Sequence, residues 1–372
     1  MKKTLIAAAL LAGFAGVAQA ETQVTLYGII DAGIGYQKIK GTDGESRSKF
    51  GTNSGNQSGS RWGLRGTEDL GGGTRAVFTL ESGFNSNTGR SAQDNRLFGR
   101  QATVGLANDA WGQFDFGRQT NIASKYFGSI DPFGASFGLA NIGHSFGQAN
   151  TTRYDNMVMY QTPSYAGFQV GAGYSFNQAS SSTGDYTGFQ TNENTRAITT
   201  GLRYVNGPLN LAAAYDQQNR PSSLNAPKIR AYMVGGSYDF EVVKLALAWG
   251  QTRNGWINGQ GANVIGGTGD LAGGFSGVGV NGQDGFRASS YLVGLTVPLG
   301  AASNLFGSWQ RIDPKNDKLT GGDETSNSYS LGYTYDLSKR TNLYAYGNYT
   351  TDYAFRDGVK ATTGIVGVRH RF

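Results

Sequence analysis

The chain is predicted to be all-β, a sixteen-stranded antiparallel transmembrane β-barrel. Three observations carry this: apolar side chains recur at every second position, short turns alternate with long connections, and 58 Gly, 20 Tyr and 20 Phe accompany 7 Pro. A strand in a membrane shows lipid an apolar side chain at every second position and places polar or small ones between them. In the first segment Leu26, Ile30, Ala32, Ile34 and Tyr36 share one parity with Gly28, and Thr25, Tyr27, Asp31 and Gly35 share the other. Ile198, Leu202 and Tyr204 oppose Thr199, Gly201 and Arg203; after Asn206-Gly207-Pro208 the row resumes at Leu209, Leu211, Ala213 and Tyr215, which reads as a hairpin. Further rows are Val243, Leu245, Leu247, Trp249; Tyr291, Val293, Leu295, Val297; and Tyr329, Leu331, Tyr333, Tyr335.

The strand cores fall at about 23–36, 58–70, 73–84, 96–107, 112–118, 151–163, 167–177, 195–205, 209–217, 228–239, 242–252, 286–297, 303–312, 326–336, 341–350 and 361–372. Thr341 to Tyr349 reads in either parity. Short connections, such as Asn108–Trp111, Asn206–Pro208 and Leu337–Arg340, face the periplasm, and the longer ones between them face outside. A soluble sandwich also alternates, but it buries its apolar rows inward and rarely needs so many strands in one unit.

Residues 1–20 read as a cleaved signal peptide: Lys2 and Lys3, an apolar run from Leu5 to Val17, then Ala18-Gln19-Ala20. The barrel is assigned to 21–372. The formal charge of +6 falls to +4 once the two lysines of that segment are removed. With no basic tail or dense Lys/Arg run, and with export, nucleic acid is excluded as a partner. The absence of cysteine removes disulfides and thiolate metal sites, and no cofactor or metal is expected. The two histidines, His144 in a long connection and His370 on the outer row of the last strand, support no nucleophile–base arrangement, so no enzyme is expected.

From Glu21 onward the chain resembles the general diffusion porins of Gram-negative bacteria, in particular beta-proteobacterial porins. The resemblance rests on Val24-Thr25-Leu26-Tyr27-Gly28 with Asp31, the run from Ser60 to Gly71, Leu97-Phe98-Gly99-Arg100, Phe116-Gly117-Arg118-Gln119, Asp336-Leu337-Ser338-Lys339-Arg340-Thr341, and the ending Gly367-Val368-Arg369-His370-Arg371-Phe372. It implies a homotrimer in the outer membrane, in contact with lipid and lipopolysaccharide, with one water-filled pore per barrel for small ions and hydrophilic solutes. It also implies that Phe372 is the barrel-assembly signal. Val366, Val368, His370 and Phe372 share one parity, so a closing strand with interfacial anchors is the plainer reading of the same residues.

A bare sixteen-stranded barrel leaves a wide channel, so selectivity requires something folded into the lumen. The candidate is the long third external loop, about 119–151, rich in small residues; the resemblance implies that it bends inward against a wall of arginines. Matching the motifs gives Arg61, Arg65, Arg100 and Arg153 as constriction residues, with Arg118 a further candidate; the acidic side is Asp131 of the loop, with Glu81 contributing from the wall. Alternation turns Arg61 and Arg65 inward, since Trp62 and Leu64 belong outside, but it places Arg100 with Ala102, Val104 and Leu106. Several cations facing few anions predict a weak to moderate anion preference. A transverse field between the arginines and the acidic loop would also orient dipolar solutes.

Two alternatives stay open: a substrate-selective pore using the loop aromatics Tyr126, Phe127, Phe133, Phe137 and Phe146, and a surface-binding role for the external loops. Gly255–Gly285 reads as a flexible external loop, since it lacks the Lys-Ser/Thr ending of a phosphate cradle. Asp43, Glu45, Asp313, Asp317, Asp323 and Glu324 are candidates for divalent-cation and lipopolysaccharide contact, without the spacing of a metal site.

Overall fold

The computed structural model describes residues 23–41, 46–178, 194–220, 227–255 and 283–372. The segment assigned as signal peptide, Asp43, Glu45 and most of the Gly255–Gly285 loop lie outside them. Seventeen strand segments form one antiparallel sheet: β1 (Gln23–Lys40), β2 (Ser46–Ser54), β3 (Arg61–Gly71), β4 (Thr74–Gly83), β5 (Gln101–Asn108), β6 (Gly112–Thr120), β7 (Arg153–Gln161), β8 (Phe168–Ser175), β9 (Arg196–Asn206), β10 (Leu209–Asn219), β11 (Ile229–Asp239), β12 (Lys244–Arg253), β13 (Arg287–Pro298), β14 (Ser303–Pro314), β15 (Ser326–Asp336), β16 (Thr341–Thr351) and β17 (Lys360–Arg371). Both β2 and β3 pair with β1, β2 from Lys40↔Ser46 to Ala32↔Ser54 and β3 from Ile29↔Arg61 to Gln23↔Thr67. They are two halves of one strand interrupted at 55–60, so the barrel has sixteen strands. β17 closes it against β1, from Ile29↔Arg371 to Lys40↔Lys360.

The alternating rows face outward. Leu26, Ile30 and Ile34, Leu202 and Leu211, Leu247 and Trp249, Val293 and Leu295, and Tyr329 and Leu331 are all exposed, whereas Asp31, on the other parity of β1, is fully buried. In water this much exposed hydrocarbon would be costly, at about 25 cal/mol per Å²; facing lipid it is matched. The ambiguous β16 resolves with Leu343 and Tyr349 outward and Tyr344 and Tyr346 inward, at 3% and 6% exposure.

Two segments depart from the sequence expectation. Ser46–Ser54 is a strand although its composition is polar; it is defined by backbone pairing with the extended end of β1, which needs no apolar row. Residues 96–100, expected at the start of a strand, precede β5. Gln93, Asp94 and Asn95 each have positive φ (51°, 61° and 60°), and three left-handed residues in succession turn the chain away from an extended path. Phe98 then packs edge-on against Trp62, at 6.2 Å between ring centroids.

Closure depends on one small residue. Gly28 and Phe372 exchange backbone hydrogen bonds of 3.0 and 3.1 Å, and a Cβ added at Gly28 would stand 2.3 Å from the Phe372 ring and 2.8 Å from the Arg61 carbonyl. Gly28→Ala should therefore displace the C-terminal ring and cost about 1–3 kcal/mol, as overpacking does. The temperature at which the folded barrel loses its compact electrophoretic mobility should fall; an unchanged transition would show that the Phe372 ring is not held against Gly28.

Candidate functional site

The connection between β6 and β7 contains a six-residue helix, α1 (Ile122–Phe127), and three short 3-10 turns. Asn121 caps α1 by accepting from the Ser124 N–H at 3.2 Å, and donates from Nδ2 to the Asp216 carboxylate of β10 at 2.8 Å. The apolar side chains of the segment lie against the inward parity of the wall. Ile122, Tyr126, Phe127, Ile130, Ile142 and Phe146 are buried in one cluster with Met157, Met159, Ala197, Ala212, Ala214, Ala231, Met233, Ala246 and Ala248. Glycines deepen this bed: a Cβ at Gly171 would meet Ile122 at 2.5 Å, and one at Gly294 would meet Pro132 at 2.3 Å. Farther along, Phe133 and Phe137 pack with Phe306, Tyr344 and Tyr346, and Gln310 donates to the carbonyls of Ala140 and Asn141 at 3.1 and 3.0 Å.

Asp131 organises this segment. Its carboxylate accepts from the N–H groups of Phe133 (3.1 Å), Ala135 (2.9 Å) and Ile142 (3.0 Å), and the residue is 5% exposed. Expected on the acidic side of a constriction, Asp131 is instead enclosed by its own loop. Burial outweighs the three donors and pushes its carboxyl up to about 6.

The arginines gather elsewhere. Arg61 of β3 and Arg100 before β5 share Glu81 of β4, at 3.8 and 2.6 Å, and Tyr27 donates to the other Glu81 oxygen at 3.0 Å. Alternation would have sent Arg100 outward, but the turn at 93–100 removes it from the strand row. Arg118 donates to Asp155 at 2.6 Å and to the Gly99 carbonyl at 2.7 Å, and Arg96 donates to both Asp155 oxygens at 2.8 Å. Arg153 lies within Coulomb range of Arg61, Arg100 and Arg118, and its buried Nε has no partner among the described residues. Arg65 stands apart, its guanidinium 5.3 Å above the Tyr27 ring. Glu81 therefore lies among the arginines and not across from them.

Sequence reasoning missed Arg96, Asp155 and the 55–60 interruption. Asp31 pins that interruption by accepting from the N–H groups of Asn56 (3.3 Å) and Ser58 (2.6 Å) and from the Tyr344 hydroxyl (2.6 Å). Asp31 falls within the opening motif, but nothing in the sequence ties it to 56–58. A polar cavity of about 330 Å³ remains between this segment, Arg61 and Arg100 on one side and Phe137, Asn141 and His144 on the other. No group of three His, Cys, Asp or Glu side chains among the described residues could hold a metal ion.

The sequence profile of Gram-negative porins matches residues 7–353. The chain belongs to the Gram-negative porin family. An outer membrane porin protein of Bordetella pertussis is 63% identical over the full length of both chains, and outer membrane porin protein 32 of Delftia acidovorans is 32% identical, again over both full lengths. Among solved structures, an anion-selective porin from Comamonas acidovorans is similar with a TM-score of 0.71 at 28% identity, covering 95% of this chain and 100% of that one. The protein is thus an outer-membrane β-barrel and a passive channel, not an enzyme.

Two buried titrating groups of the porin's loop pull in opposite directions. Burial lowers His144 to about 4, so its contribution to stability is full above its ordinary value of 6.5 and is lost as pH falls toward 4. Asp131 is raised above its ordinary 3.8, so the native loop gains stability from it as pH falls from about 6 toward 4. Amide-exchange protection across 121–152 should fall on acidification in Asp131→Asn and rise in His144→Gln. The same pH response in both variants would refute the assignment.

Proposed function

We propose that this porin is an anion-preferring homotrimer for passive diffusion of small hydrophilic solutes, narrowed by the loop at about 119–151, which folds into the lumen. The reading includes removal of residues 1–20 on export and contact of the outer surface with lipid and lipopolysaccharide. One observation carries it: Arg61 and Arg100 line the cavity facing the loop, while Asp131, the only acid of residues 121–152, is turned into the loop's own backbone. Arg153 adds positive charge beside them, and Glu81 is the carboxylate paired with Arg61 and Arg100 among the described residues. A narrow passage with excess positive charge lowers the barrier for anions and raises it for cations. The similarity to a solved anion-selective porin supports the same reading, and the trimer follows from the resemblance to general diffusion porins.

In this reading Arg61, Arg100 and Arg153 set selectivity. Arg118 shares Asp155 with Arg96 and fixes the rim, Arg65 lines the lumen beside Tyr27, and Phe372 marks the closing strand for assembly. The loop aromatics act as packing, because Tyr126, Phe127, Phe133, Phe137 and Phe146 are all buried.

The test is the reversal potential across a KCl gradient in a planar bilayer, for wild type and for Arg61→Ala, Arg100→Ala, Arg153→Ala. Conductance steps in threes and an anion preference that falls at least about threefold in the triple variant are expected, since a unit charge about 7 Å from the path in a water-like medium changes local ion concentration by about that factor. Open channels whose selectivity ignores the three substitutions would sink the constriction assignment.

A further inference from the structure

A second positive station lies at the other end of the same loop. After α1 the chain turns at Gly128–Ser129, and Ser129 is exposed. The Arg203 guanidinium of β9 donates to the Ser129 hydroxyl at 3.3 Å, and the Lys244 ammonium of β12 donates to the Ser129 carbonyl at 2.8 Å. Two cations from strands three apart in the sheet thus converge on opposite polar atoms of one loop residue. Asn210 completes the cluster, accepting from Arg203 Nε at 3.2 Å and donating to the Ser129 hydroxyl at 3.0 Å.

The hydrogen-bond partners of these cations are neutral. Neither Arg203 nor Lys244 forms an ion pair among the described residues: Asp131, two residues farther along the loop, acts on Lys244 only at Coulomb range while its oxygens accept from three backbone N–H groups, and Asp239 stands opposite Lys244 in the β11–β12 register without an ion-pair contact. Lys125, on the preceding turn of α1, adds a third positive group on the same stretch, with Asp115 as the carboxylate that acts on it. Leu202 and Leu247 point outward on their strands, so Arg203 and Lys244, on the opposite parity, face inward. Both lie close to short connections, Arg203 three residues before the turn at 206–208 and Lys244 directly after that at 240–243. Short connections mark the periplasmic end, whereas Arg100 and Arg153 adjoin the long connections before β5 and β7, and Arg61 pairs with Gly83, where the first of these connections begins.

We infer that Arg203 and Lys244 form a periplasmic-side anion subsite, through which small anions pass in series with the arginine cluster, and that they are a separate determinant of selectivity. The inference deepens the anion-passing reading and rests on it. Two like charges held near one residue, with no carboxylate oxygen in ion-pair contact with either among the described residues, repel each other, and a passing anion relieves that repulsion. Because this station lies on one side of the loop and the arginines on the other, the effect depends on direction. Removing the pair changes anion flux most when the dilute solution is on the periplasmic side, where local accumulation matters most.

The experiment compares wild type, the neutral pair Arg203→Gln/Lys244→Gln, and the charge-conserving pair Arg203→Lys/Lys244→Arg, in oriented single insertions with KCl gradients of both signs. The neutral pair is expected to lower the anion-to-cation permeability ratio about threefold with the dilute side periplasmic, and less with the gradient reversed. The charge-conserving pair is expected to keep the wild-type ratio. If the two pairs lose selectivity equally, the residues only staple the loop; if the neutral pair behaves as wild type in both gradients, there is no subsite. Either result overturns the proposal. The Arg61/Arg100/Arg153 variant reports on the other station independently, so failure of one reading is distinguishable from failure of the other.

Discussion

Inside a bilayer no water can satisfy a backbone N–H or C=O, so every strand must pair on both sides, and the sheet can end only by meeting itself. In this porin that requirement falls on the β1–β17 ladder, twelve residues long from Ile29↔Arg371 to Lys40↔Lys360. Once the ladder is made, side-chain direction follows for the whole barrel, because a shift of one residue would turn every lipid-facing leucine and tyrosine into the lumen. Gly28 belongs to this argument: the closing strand ends in a large ring, and its neighbour must offer a position without a Cβ.

Closure also sets the conditions for the loop. A lumen wall facing only water would be expected to carry polar side chains throughout. The inward positions of β8 to β12 instead carry Gly171, Gly201, Ala197, Ala212, Ala214, Ala231, Ala246 and Ala248, a shallow apolar bed that receives Ile122, Tyr126 and Phe127. Small wall residues let the loop lie flat, and large loop residues provide the buried area. Asp131 and Asn121 then fix what hydrophobic contact cannot, the local path of the backbone, through directed hydrogen bonds.

The barrel was legible because its signal is periodic and local: Leu26 to Tyr36 or Tyr329 to Tyr335 states its orientation without reference to other strands. What was not legible depended on distant pairing. Ser46–Ser54 carries no apolar row, so its strand exists through its partner β1. Arg100 reads as outward by parity, and its place beside Glu81 follows a turn with three left-handed residues at 93–95 that composition does not announce. Asp131 reads as a pore acid because it is the loop's one carboxylate, yet its three backbone partners lie up to eleven residues away. The apolar bed was present in the sequence as alanine and glycine at lumen positions, and it becomes informative once the loop that covers it is known.

The position of Glu81 bears on what kind of filter the proposed constriction makes. Acids on the loop opposite the arginines would give a field directed across the passage, able to align a dipolar solute as it enters. Here Glu81 lies between Arg61 and Arg100 on the same wall, and the loop's own acid is enclosed, so the two signs are neighbours and their transverse dipole is short. Fields of closely spaced opposite charges fall off faster with distance than that of the uncompensated remainder. What reaches the middle of the passage is then mainly the net positive potential of the surplus arginines. On the proposed reading such a pore discriminates by charge more than by dipole orientation, and its selectivity should weaken with rising salt, because solvated charges at this distance are screened within roughly one Debye length, about 8 Å at physiological ionic strength.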